Sequence, residues 1–184
     1  MIGKKNIVFG FLYLVFTAAL GPYMVIKVLP DVNATKQEKQ AAVGRLEQLK
    51  GNDFEEELEP LSAEAIAKAN TDGILALSKV LGAREMLDQI KGGPHAHGNL
   101  EALLNIAAGL ALCFVAVGRL SKQIISWLFI LGAVLHSGML YLLSFGQGWA
   151  AVPLQAGPWL VLAGLLAMGV AAASGFRGEL VRDG

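Results

Sequence analysis

The chain has 184 residues, of which 54% are hydrophobic and 16% charged, and its mean hydropathy is +0.53. Soluble domains carry roughly 25% charged residues, so this composition excludes an ordinary soluble domain and reads as a small polytopic membrane protein. Fifteen basic and fifteen acidic residues cancel, and no basic run tracks a phosphate backbone, which excludes nucleic acid as a partner.

Residues 7–26 form an apolar run long enough to span a bilayer, preceded by Lys4 and Lys5 and followed by Lys27 and Pro30. The run exceeds the ~7–15 residues of a signal-peptide core and has no clean small-residue cleavage site, so it reads as a retained first span. Gly21 and Pro22 are expected to kink or end this helix near its outer end.

Between residues 31 and 93 the composition changes to acidic residues, Ala, Gln, Lys and Leu. Good helix formers at helical spacing predict helices over 34–50 and 71–90, a short third helix over 62–70 and an acidic turn over 51–60. This is a soluble helical insert capping one membrane face. The run Glu55, Glu56, Glu57 reads as a solvated face.

Three further spans are expected over 100–117, 124–145 and 152–173. Arg119 and Lys122 lie between the second and third, and Arg177 and Arg182 follow the fourth, whereas residues 146–157 carry no charge. The positive-inside rule then puts both termini in the cytoplasm and the insert outside, in a bacterial-type inner (cell) membrane. Trp149 and Trp159 flank the uncharged loop as interfacial aromatics. Ala163, Ala167 and Ala171 form a small-residue stripe suited to close helix packing, within the bundle or between subunits. Cys113, the single cysteine, reads as a small buried apolar side chain. The fold expected is all-α: an integral membrane four-helix bundle, with 1–30 as the first span, 31–93 as the external insert and 94–184 as three spans carrying a polar site.

That site starts at Gly93-Pro94-His95-Ala96-His97-Gly98-Asn99-Leu100-Glu101, where ligand-type residues lead into an apolar helix. Ionisable groups inside a membrane are costly, which makes each a candidate for function. His97, Glu101 and Asn105 recur every four residues and share one helix face. Counting about 1.5 Å per residue from each membrane edge puts Tyr141 level with Glu101 and His136 level with Asn105. On the same count His97 and His136 differ in depth by about 14 Å, which disfavours a haem held by both. His95 points roughly 160° away from the His97 face.

Two chemistries use such a set. A neutral imidazole at the end of a span ligates haem iron, with the porphyrin against apolar helix faces. In the other, His95, His97 and His136, with Glu101, supply ligands to a bare ion such as copper or zinc. Besides these, a non-catalytic module has polar layers that hold the bundle together while the cap binds a partner. A proton or solute pathway through Glu101 and His136 is weaker, because four spans leave little room for a channel.

Ala96-His97-Gly98 followed by Asn105, then Leu140-Tyr141-Leu142-Leu143-Ser144-Phe145-Gly146, resembles styrene oxide isomerase, a four-helix membrane enzyme. The resemblance covers spans two and three, about a third of the chain. It implies haem b with His97 as axial ligand, Asn105 as substrate-orienting amide and Tyr141 as the phenol near the reacting oxygen. Glu101 stands beside them to hydrogen-bond or stabilise developing positive charge. The implied reaction converts an epoxide to a carbonyl, the substrate is small and apolar and arrives through membrane lipid, and the implied assembly is a homotrimer. Redox activity on such a substrate is the other enzymatic expectation.

Overall fold

The computed structural model describes residues 1–57 and 59–181. Its elements are α1 (Gly3–Ala18), α2 (Leu20–Tyr23), α3 (Leu29–Gly51), β1 (Glu55–Glu56), β2 (Glu59–Pro60), α4 (Ala63–Ile90), α5 (Ala96–Leu112), α6 (Arg119–Ala133), α7 (Met139–Ser144), α8 (Ala151–Leu154) and α9 (Gly157–Gly175). Single π-helical turns at Met24–Val28 and Val134–Gly138 link α2 to α3 and α6 to α7, and Lys91–His95, kinked at Gly93 (φ −83°, ψ −105°), links α4 to α5. The fold is therefore all-α apart from one minimal hairpin. Three helical stretches, Gly3–Gly51, Arg119–Ser144 and Gly148–Gly175, are long and apolar enough to cross a membrane. The chain divides into two compact units, Tyr23–Asp88 and the remainder.

The Tyr23–Asp88 unit is an antiparallel helical hairpin, in which Glu38 on α3 pairs with Lys79 on α4 at 2.8 Å and Leu46 packs over Gly73. The expected break between residues 70 and 71 is absent, and α4 is one helix of 28 residues. Thr71 carries the reason: its hydroxyl donates back to the carbonyl of Ala67 at 2.9 Å, so it continues the helix instead of capping a new one. The real N-terminal cap is Ser62, whose hydroxyl accepts from the amide of Ala65 at 3.1 Å. Tight turning between α3 and β1 puts Asp53 and Phe54 in the left-handed region, with φ of 51° and 60°.

The other unit is a bundle of α1, α5, α6 with α7, and α9. On α1, Gly3, Asn6, Gly10, Tyr13 and Thr17 recur at spacings of three and four and so share one stripe. This stripe packs antiparallel on α5, and it is small and polar rather than apolar: Asn6 is 0% exposed, while Phe11 and Val15 on the outer side are 57% and 72% exposed. Water would reverse that arrangement, whereas hydrocarbon rewards it, because helices in lipid associate through close backbone contact and buried hydrogen bonds. Gly3 and Gly109 show how close the approach is, since a methyl built on Gly3 would fall 2.1 Å from the carbonyl oxygen of Gly109. Among the described residues no buried side-chain nitrogen or oxygen lacks a partner.

The second span departs from expectation at its end. Its helix α5 has 17 residues and stops at Leu112, so it is shorter than the ~20 residues a bilayer core requires. Beyond it Val115 bridges Phe176, and Ala116 N–H donates to Gly175 O at 2.7 Å, so the chain leaves the helix to pair with the segment after α9. Below that junction Ala108, Leu112, Val115, Ile125, Phe129 and Ala171 form the apolar core. Ala167 joins it, whereas Ala163, the third member of the expected small-residue stripe, is exposed. Arg182, counted for the orientation, lies outside the described residues.

Candidate functional site

Glu101 on the inner face of α5 is 4% exposed and organises the bundle's main polar layer. Its Oε1 accepts from Nδ1 of His136 at 2.5 Å, and its Oε2 accepts from the hydroxyl of Ser137 at 2.5 Å and from the Ser137 amide at 3.3 Å. Adjacent helical residues ordinarily point about 100° apart. His136 and Ser137 reach one carboxylate because both lie in the π-turn Val134–Gly138, a local widening frequently found at functional sites. The layer extends to α1, where the Tyr13 hydroxyl lies 2.9 Å from Ser137 Oγ and 3.2 Å from the carbonyl of Ala133.

An ionised Glu101 only accepts, so opposite it Nδ1 of His136 carries a proton, and in the neutral ring Nε2 is then the bare nitrogen. The His136 side chain is 17% exposed. Against it lies the ring of His97, centroids 4.7 Å apart and planes at 52°. His97 itself is exposed and has no hydrogen-bond partner among the described residues. Leu100, one turn on, is exposed beside it, and Leu103, Ala107 and Leu110 are exposed further round α5. An imidazole pair thus stands near the start of α5, with the exposed Leu100 next to His97.

One turn pair deeper, Asn105 closes a second layer. Its amide donates to Glu101 O at 3.0 Å and Phe129 O at 3.1 Å, and its oxygen accepts from Asn6 Nδ2 at 3.0 Å. Asn6 also donates to Ser126 O at 3.0 Å, and its oxygen accepts from the Ser126 hydroxyl. Both amide hydrogens of Asn105 are consumed inside the bundle, so the expected substrate-orienting amide is a packing group here.

The expected register is also corrected. His136 meets Glu101 rather than Asn105, and the level of Asn105 is occupied by Ser126 and Phe129. Tyr141 is not opposite Glu101. It packs half-buried against Phe16 and Phe145, with ring centroids 5.4 Å and 5.0 Å away. The depth count assumed that both helices start at common membrane planes. Instead, the chain kinks at Gly93 ahead of α5 (φ −83°, ψ −105°), Leu140 lies beside Gly93, and the third span begins at Arg119. The 14 Å separation of His97 from His136 is therefore replaced by ring contact, which still leaves no space for a porphyrin between the two rings.

The three-histidine metal set is not assembled. His95 Nδ1 donates to Thr17 O at 3.1 Å, and Asn99 beside it accepts from the Thr17 hydroxyl at 2.8 Å. Among the described residues no three His, Cys, Asp or Glu side chains are placed to hold an ion. Tyr13, Ser137, Asn6, Ser126 and Thr17 were missed by sequence reasoning. The three-four spacing on α1 was the signal that could have found the α1 members.

At the other end of the bundle, Lys5 Nζ donates to Gln123 Oε1 at 2.6 Å and sits 4.2 Å over the ring of Trp127. No family model, no curated protein and no solved structure matches the chain.

Proposed function

We propose that this is an integral membrane protein that binds haem b at the His97–His136 imidazole pair, against the exposed apolar face of α5. The single observation that carries the reading is the pair itself: two imidazoles in contact, one clamped by a buried carboxylate, beside the exposed Leu100. That donor set fits haem, which takes neutral imidazole as an axial ligand and apolar surface for its ring. The resemblance to styrene oxide isomerase points the same way and gives the axial position to His97.

When bound, the group supplies Lewis-acid polarisation of an epoxide oxygen, for isomerisation to a carbonyl. The chain's own residues hold and shield. Glu101 fixes the His136 ring, Ser137 and Tyr13 fix Glu101, and a small apolar substrate arrives from the bilayer. Tyr141, with Phe16 and Phe145, forms an aromatic wall carrying a phenol. A homo-oligomer, a trimer by the resemblance, covers the exposed His97 face. Lys4, Lys5, Arg119 and Lys122 belong to the cytoplasmic side of the cell membrane, in keeping with the Lys5–Gln123 contact.

The test is the visible spectrum of detergent-purified protein, oxidised and dithionite-reduced, with a pyridine haemochrome assay. A Soret band with about one haem b per chain is expected. A flat spectrum after expression with ample haem removes the reading.

A further inference from the structure

The groove between α6 and α9 shares no residue with the imidazole site. We propose that it binds an anionic phospholipid, with one acyl chain lying along the groove and the phosphate held at the end marked by Arg119 and Arg177. The inference rests on these helices crossing a membrane and is independent of the haem reading.

The two helices meet backbone to backbone at one end and part toward the other. Gly157 lies on the backbone of His136, and a methyl on Gly132 would fall 3.0 Å from the Val161 backbone nitrogen, whereas the atoms nearest Gly164 belong to the side chains of Leu128 and Phe129, at 3.4 Å. Further along, the parting becomes a groove of about 550 Å³, walled by Ile124, Leu166, Ala167 and Val170, with Ser121 and Ser174 at its far end. Its lining on α9 runs from Ala163 to Ser174, about 16 Å at 1.5 Å per residue. A hydrocarbon core is ~30 Å thick, so the groove has the reach of a single leaflet.

Charge decides what fills it. Arg119 opens α6 two residues before Ser121, and Arg177 follows Ser174 by three; both arginines are exposed. The first turn of α6 has no side-chain cap and no acidic residue, so its amide end adds positive potential at the same place. The chain is tied together here, since Ala116 N–H donates to Gly175 O at 2.7 Å and Arg177 N–H donates to Phe114 O at 2.8 Å. No acidic residue occurs between Glu101 and Glu179, and Glu179 is exposed in an adjoining hollow that it shares with Arg177. Basic pockets between membrane helices bind anionic headgroups, and the apolar groove behind this one takes hydrocarbon. A second copy inserted the same way would bring its own Arg119 and Arg177 to the same depth, where like charges oppose the contact.

The experiment titrates full-length protein in detergent with phosphatidylglycerol or phosphatidylcholine of matched chains and counts bound lipid by native mass spectrometry. Wild type is expected to bind phosphatidylglycerol more tightly. Arg119→Gln and Arg177→Gln should each weaken it about fivefold, and the double variant should lose the preference. Val170→Phe fills the groove from an exposed position and should displace both lipids, whereas Leu162→Phe, equally exposed on α9 but outside the groove, should displace neither. Size-exclusion elution and thermal melts identify variants that retain the fold, and the arginine pair decides the matter where Val170→Phe does not. Equal affinity of wild type for the two lipids, or a preference that survives the double arginine variant, overturns the proposal. So does a Val170→Phe protein that binds phosphatidylglycerol as wild type does; if that variant also loses its oligomeric state, the groove belongs to a second copy. Release of the protein from membranes by alkaline carbonate overturns the membrane reading and this site with it, whereas a missing Soret band leaves the site standing.

Discussion

Gly157 lies so close to His136 that a methyl on it would fall 2.4 Å from the His136 backbone nitrogen. The first turn of α9 therefore rests on the π-turn that aims His136 at Glu101, and glycine is the side chain that permits it. Gly157→Ala should push that turn away at an overpacking cost of about 1–3 kcal/mol and lower haemin affinity together with stability. Gly169→Ala on the same helix has nothing within 4 Å of the new methyl and should leave both at least at wild-type values. Thermal melts in detergent and haemin titration of the two variants make the comparison.

Asn105 gives the opposite pattern. Its hydrogen bonds all stay inside the bundle, and such bonds between membrane helices average about 0.6 kcal/mol each, with a maximum near 1.7. Asn105→Leu should lower stability by roughly 1–3 kcal/mol, because Asn6 loses a buried partner, and should leave the visible spectrum unchanged. An Asn6→Val, Asn105→Leu double variant should lose less than the sum of the two singles, as coupled neighbours do. Unfolding by denaturant in mixed micelles measures the cycle.

The helical hairpin offers a titration. Lys79 is raised above its ordinary value of 10.5 by the hydrogen bond to Glu38, followed by the charge of that carboxylate, with desolvation a smaller opposing effect. A raised folded value means that the pair's contribution is fully present below the unfolded value and is lost as pH climbs through the folded one. Both side chains are exposed, so screening keeps the effect local. Nitrogen-detected NMR of the lysine ammonium should show the Lys79 midpoint moving back toward 10.5 in Glu38→Gln, with other lysines unmoved.

Ser62→Ala tests the start of α4. Loss of its acceptor for Ala65 N–H should cost about 1 kcal/mol of local helix stability. Hydrogen exchange should quicken over the first turn and stay unchanged past Thr71, since the helix is continuous there.

The all-α fold and the apolar runs of the first, third and fourth spans were legible, because a run of about 20 apolar residues has few alternatives. The importance of Glu101 and His136 was legible too, since such groups are expensive in hydrocarbon. Their union was not. It depends on a π-turn at Val134–Gly138 that no residue type announces, and on packing of that turn against α5 that slides one span along the other by more than a turn relative to a depth count. Thr71 shows the same limit at short range, because its hydroxyl serves a cap or a back-bond equally well until the chain folds. The pattern on α1 was visible but concealed by the apolar majority around it.

The bond between Asn6 and Asn105 joins positions 99 residues apart. At about 5–20 residues per second, ribosomal synthesis separates the two by roughly 5–20 s. During that interval α1 carries Asn6 without its partner Asn105 while the whole helical hairpin is made. The partner that completes the first helix thus arrives late, and a delay between Asn6 and α5 is built into the order of the chain.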